Sequence, residues 1–217
     1  MLLKNIILML ILFVSGKISA QIPVEIFGGN ERATFDMMYF KYTKKRSGDN
    51  SRFLFFNRNR AVVDYRMTSS EYLPSFGITG AISYNAPSLK GMAPVAVTQI
   101  INSGVLVKAG VQYAYLKKRL TVFSWLVVET MRDPKVDLFC LGRYTPRLTE
   151  KMDLFLQAET INAFATSSTK YNSFVQRIRI GLKLNYWQFG AGIDLSQTGR
   201  TDITAQSNAG VFLRHEF

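Results

Sequence analysis

The chain has almost no cysteine, almost no histidine and, beyond its first twenty residues, no long apolar run. Cys140 stands alone, which excludes an intramolecular disulfide and a paired-cysteine metal site. The single histidine, His215, is third from the end, so schemes built on a central imidazole and His-rich metal sites are excluded with it. After the N-terminus no stretch approaches the roughly 18 apolar residues of a membrane-crossing helix. If the protein stays in a membrane, strands must carry it. Acidic residues are also scarce, 15 against 27 Lys and Arg, for a net charge of +12. Such a surplus suggests an acidic partner, nucleic acid first. The basic residues come one or two per strand instead of forming a single stripe, and an export segment precedes them. Nucleic acid is therefore not expected as a partner, and no cofactor or metal is expected.

What is present begins with MLLKNIILMLILFVSGKISA. A basic start at Lys4, an unbroken apolar run from Ile6 to Val14 and a small-residue end at Ser19-Ala20 read as a cleaved signal peptide over residues 1–20. The run is too short for a stable anchor, and no cysteine near the cleavage point offers a lipid attachment site. The mature domain is then 21–217, and loss of Lys4 and Lys17 leaves it at +10.

At 47% apolar, 13% aromatic and 19% charged, the composition excludes disorder. From about residue 33 the period of the apolar pattern is two. Candidate strands run over 33–43, 52–66, 75–84, 93–101, 105–116, 119–131, 136–145, 151–162, 173–185, 187–196 and 205–217, with a weaker one at 22–28. Turn chemistry separates them: SGDN, NAPS, NSG, RDP, TPRLTE, ATSSTK and SQTGRTD. In 173–186, SFVQRIRIGLKLNY, one parity is apolar and the other carries Arg177, Arg179 and Lys183. In 105–116, Val105, Val107, Ala109, Val111, Tyr113 and Tyr115 oppose Lys108, Gly110 and Gln112.

A soluble exported β-sandwich that binds a ligand would also alternate, and it is one alternative. Two features favour a transmembrane barrel. Strands of ten or more residues exceed the usual globular length and match tilted spanning strands. Aromatics also gather near strand ends (Tyr39, Phe53, Tyr113, Tyr115, Tyr186 and Trp187), where interfacial girdles fall. The expected fold is an all-β, antiparallel up-and-down transmembrane barrel. Twelve strands are counted, with ten as the alternative if the weak first strand and a neighbour lie outside.

The last strand closes on Phe217, with Leu213, Val211 and Ala209 on the same parity. With this ending the chain resembles bacterial outer-membrane β-barrel proteins, in which such a terminal aromatic is the signal read by the insertion machinery. His215 departs from the apolar residue expected at its position. The FFNRNR segment, the closing FLRHEF and Ala20-Gln21 are similar to uncharacterised small barrels of the Bacteroidota. The resemblance implies residence in the outer membrane, contact with its lipid, insertion through the C-terminal strand and, for partners, another outer-membrane or periplasmic protein. It implies nothing about activity.

If the apolar parity faces lipid, the charges on the other parity face the lumen, because Arg or Lys against mid-bilayer lipid costs about 2–4 kcal/mol. The inward cations are Arg52, Arg58, Arg60, Arg66, Lys108, Arg143, Arg177, Arg179, Lys183 and Arg214. The carboxylates are Asp64, Glu129, Asp137, Asp153, Glu159, Asp194 and Glu216. Either the cations line a narrow anion-preferring pore, or the carboxylates neutralise them and the barrel is a structural or partner-binding element. Phe56, Phe123, Trp125, Phe139, Phe155 and Phe212 share the inward parity, and such bulk favours a closed lumen. Asn57 and Asn59 would then face lipid, which a β-bulge or a strand outgrowing the bilayer would explain. The basic clusters 44–46 and 117–119 fall on the periplasmic rim. They read as solvated turn charges that anchor strand ends, or as contacts to anionic headgroups.

No enzyme is expected. His215 has no serine partner, and Asp153 and Glu159 are too far apart along one strand to act together. Glu129, opposite a lumen cation, reads as half of a salt bridge.

Overall fold

The computed structural model describes residues 22–65, 75–131, 135–166 and 171–217. The expected signal peptide, residues 1–20, and Arg66 lie outside the described residues. Twelve strands follow in chain order: β1 (Pro23–Gly29), β2 (Arg32–Lys44), β3 (Asn50–Asp64), β4 (Ser75–Tyr84), β5 (Met92–Ile101) and β6 (Gly104–Leu116). They continue with β7 (Leu120–Glu129), β8 (Lys135–Tyr144), β9 (Asp153–Ala165), β10 (Asn172–Leu184), β11 (Trp187–Gly199) and β12 (Ile203–Glu216). Each pairs antiparallel with its neighbours in sequence, and β1 closes the sheet on β12 from Pro23↔Glu216 to Gly29↔Gly210. The weak first strand is thus the closing strand. A single closed sheet replaces both the ten-stranded and the two-sheet sandwich alternatives.

One end, here the terminal end, holds Ile22, Phe217 and the turns 45–49, 85–91, 117–119, 145–152 and 185–186. Asn185 opens the two-residue β10–β11 turn at φ 52°, a left-handed conformation that asparagine tolerates better than most residues. At the far end strands run on beyond their expected bounds. β9 continues to Ala165, β11 to Gly199, and β12 begins at Ile203, leaving a hairpin of residues 200–202. The residues added to β11 and β12 are Gln197, Thr198, Gly199, Ile203 and Thr204, most of which carry little apolar signal; the ladder hydrogen bonds do not depend on one.

Outside, the barrel presents Ile26, Ile82, Ile100, Leu126, Ile180, Val211 and Leu213, all exposed. Inside lie Phe27, Phe56, Phe123, Phe155 and Leu141, fully buried or nearly so. Asn57 and Asn59 do point outward, but no bulge relieves them, since β3 pairs residue for residue with both neighbours there. Instead Asn59 Nδ2 donates to Asn57 Oδ1 at 2.9 Å, and Asn57 Nδ2 to the Thr79 carbonyl at 3.3 Å.

Candidate functional site: the barrel lumen

The lumen is filled in two different ways. On one side an aromatic seam crosses it. Phe40 of β2 and Phe56 of β3 meet Phe123 of β7, with ring centroids 4.8 and 5.4 Å apart; the second pair lies almost parallel. Trp125 stands edge-on to Phe56 at 5.1 Å, and Phe139 of β8 lies 5.0 Å from Trp125. Met38, Leu54, Ala81, Val95, Val97, Val127 and Leu141 complete this core. Two further buried rings, Phe155 and Phe212, meet at 5.5 Å. Both are paired in register with inward glycines, Phe155 with Gly181 and Phe212 with Gly190. A Cβ on either glycine would strike the neighbouring backbone, so the GAGI stretch makes room for packing.

On the other side the lumen is ionic. Arg58 pairs with Asp36 and, at 2.9 Å, with Glu159. Glu159 pairs with Arg177, which lies 3.7 Å from Asp194. Asp194 takes Arg60 at 3.2 Å, and Arg60 returns to Asp36 at 3.6 Å. Six groups of alternating sign thus close a ring that spans β2, β3, β9, β10 and β11. From Asp194 the chain of charges runs on through Arg179 at 2.7 Å to Glu25 at 3.0 Å, and then to Arg214 at 2.8 Å. The Arg179 guanidinium also lies over the Phe27 ring, 3.9 Å from its centroid. In this network five arginines meet four carboxylates.

The remaining charges lie apart from it. Lys108 pairs with Asp137 and reaches Gln99 at 2.6 Å. Glu129 is opposite Lys108 in the ladder yet makes no ion pair among the described residues. The expected salt bridge at Glu129 is therefore corrected, because the lysine reaches past β7 to Asp137 of β8 and bonds Gln99 of β5 instead. Lys183 Nζ lies 2.5 Å from Glu216, although Asp153 is its ladder partner. Arg143 bonds the neutral Gln157 Oε1 at 2.9 Å, an atom that also accepts from Arg214 at 3.0 Å. Asp64 sits inside at the far end of β3. Arg52 does not belong to the lumen: it is exposed at the terminal rim, where it donates to the Tyr84 hydroxyl at 2.8 Å.

Sequence reasoning missed Glu25 and Asp36, two of the four network carboxylates. Glu25 lay on the weakest strand. Asp36 lay in ATFDMMYFKYT, where both parities are apolar and the inward one does not stand out. Phe217 is 70% exposed at the terminal end, and its backbone exchanges two hydrogen bonds with Ile22. His215 packs its ring 4.4 Å from both Trp187 and Phe217, on the outer face.

Comparison with known proteins gives a likeness of fold. The NanC porin aligns over 92% of this chain and all of its own, at 7% identity and a TM-score of 0.50. The fold is that of the NanC porin. The KdgM porin aligns over 91% of this chain and 99% of its own, at 10% identity and a TM-score of 0.49. No protein-family model matches the chain, and no curated protein sequence matches it either.

Proposed function

We propose that the chain is an integral outer-membrane barrel, exported by a cleaved signal peptide over 1–20, whose lumen is closed and which serves as a structural or partner-binding component of that membrane. The observation that carries this reading is the meeting of the two lumen fillings at β3. Phe56 holds the aromatic seam and Arg58, two residues on, holds the ionic ring, so side chains cross the barrel in both directions. The outer face supports the location. A continuous belt of exposed Ile, Val, Leu and Phe belongs against lipid, since soluble monomers rarely expose so much apolar surface. A 13-residue strand such as β10 rises about 44 Å, and tilted near 45° it spans about 30 Å, the hydrocarbon thickness.

The exposed terminal Phe217 and the strand before it are what the insertion machinery would read. Lipid is then one partner, and a second outer-membrane or periplasmic protein is the other. The likeness to Bacteroidota barrels rests on FFNRNR, FLRHEF and Ala20-Gln21 alone. No enzymatic role is proposed: His215 sits among aromatic rings on the outer face, remote from the lumen carboxylates.

The test is conductance of the purified protein in planar bilayers. Closed barrels give no steady current above background. A steady anion-selective current that falls on Arg177→Glu overturns the closed reading in favour of a narrow anion-preferring channel. That second reading is favoured by one observation, the cationic mouth at the terminal end, where clusters 44–46 and 117–119 crowd the rim.

A further inference from the structure

At the terminal end the barrel opens into a cavity of about 270 Å³. A second hollow of about 430 Å³ shares its walls at Lys118, Arg119, Thr145, Lys183 and Glu216. The first is roofed by the 117–119 turn, and Arg143 lies in its wall beside Phe40 and Thr121. Five of its lining residues are cationic: Lys117, Lys118, Arg119, Arg143 and Lys183. Its one carboxylate, Glu216, is already committed, to Lys183 at 2.5 Å and to Gln188 Nε2 at 2.6 Å.

Arg143 is the decisive group. Its Nε donates to Gln157, its Nη2 is buried without a protein partner, and it makes no ion pair within 4 Å among the described residues. A neutral amide thus sits between the guanidiniums of Arg143 and Arg214 where a carboxylate would have paired both. A half-buried guanidinium with an unpartnered donor, lining a hollow ringed by cationic side chains, suits an oxyanion ligand. Lys117 meanwhile lies 5.7 Å above the Tyr115 ring on the outer face, which ties the lip of the hollow to the lipid-facing surface.

We propose that this terminal mouth is a blind oxyanion-binding site, with the Arg143 fork as its inner ligand and Lys118 and Arg119 closing over it. The ligand class is a phosphate or carboxylate, supplied by a lipid headgroup of the adjoining leaflet or by a soluble anion. The site goes beyond the closed-lumen reading, because an anion enters and leaves by the same mouth and need not cross the barrel.

The test is calorimetric titration of inorganic phosphate into the folded barrel in zwitterionic micelles. Saturable binding is expected, weakened about tenfold or more by Arg143→Gln through loss of charge-assisted hydrogen bonds. Lys118→Gln with Arg119→Gln, confined to an exposed turn, should weaken it comparably and keeps the test valid if the Arg143 variant fails to fold. Lys90→Gln, on a rim turn outside the hollow, should leave it unchanged. Absence of saturable heat, or equal weakening by Lys90→Gln, overturns the site and leaves only diffuse rim charge. Repeating the titration in phosphatidylcholine nanodiscs with and without phosphatidylglycerol separates the two sources. Competition by the anionic lipid that disappears with Arg143→Gln assigns the site to headgroups, and equal affinity in both bilayers assigns it to a soluble anion.

Discussion

The aromatic side and the ionic side of the lumen fill the same kind of space by opposite means. Around Phe123 rings and aliphatic side chains pack together, so burial itself stabilises, each ring pair adding about 0.5–1.5 kcal/mol beyond the area removed from water. Around Asp194 three arginines converge on one carboxylate, and their attraction must first offset the cost of taking four charges out of water. The aromatic side therefore supplies stability in small independent portions. The ionic side supplies little net energy and tolerates only complete sets of partners. It fixes which strands face one another, because a ring of alternating charge closes in one arrangement only.

The largest expected effect breaks the aromatic side at its centre. Phe123→Ala removes a ring that touches four others and should cost about 3–5 kcal/mol, read as lost resistance to heat or urea in micelles. Asp194→Asn tests the other side. Leaving Arg60, Arg177 and Arg179 short of their shared acid should cost a similar amount, toward about 3 kcal/mol because Glu25, Asp36 and Glu159 remain. The two variants differ in character. If Asp194→Asn leaves stability untouched, the ring does not hold the ionic side together.

That contrast was only half visible in the sequence. Strand number, the period of two and the inward parity of Phe56, Phe123, Trp125, Arg177 and Arg179 could be read directly, because each strand repeats one simple pattern. The division of the lumen could not. Phe56 and Phe123 are brought together by the curvature of a closed sheet, which leaves no mark on spacing along the chain. Pairing within the ionic side was equally hidden. Lys108 prefers Asp137 to Glu129 although Glu129 is its ladder partner, since a long side chain selects among several neighbours. The mouth around Arg143 was concealed for another reason: its character depends on Gln157 being an amide, and nothing in the sequence says that the two residues meet.

A smaller effect probes how tightly the ionic side is fitted. Gly192 lies opposite Arg179 in the ladder, and a Cβ there would come within 2.6 Å of the arginine's Cδ. Gly192→Ala should cost about 1–3 kcal/mol as the guanidinium is pushed off Phe27 and Glu25. The measurement is again unfolding in micelles. A cost near zero would mean that the arginine is loosely held and that the ring is not a close-fitted device.

The smallest expected effect sharpens the comparison most, because it turns a piece of one side into the other. Lys108 and Asp137 form a pair apart from the ring, next to the aromatic core residue Val127. Asp137→Leu alone should cost about 3–5 kcal/mol, since it leaves the buried ammonium, among the described residues, with only Gln99 Oε1 as its hydrogen-bond partner. Lys108→Met combined with Asp137→Leu should lie within about 1 kcal/mol of the parent or be more stable, because both desolvation costs vanish and apolar contact replaces them. A double variant as unstable as the single one would show that this pair does more than neutralise itself. The distinction between a side that supplies energy and a side that supplies fit would then fail at its simplest point.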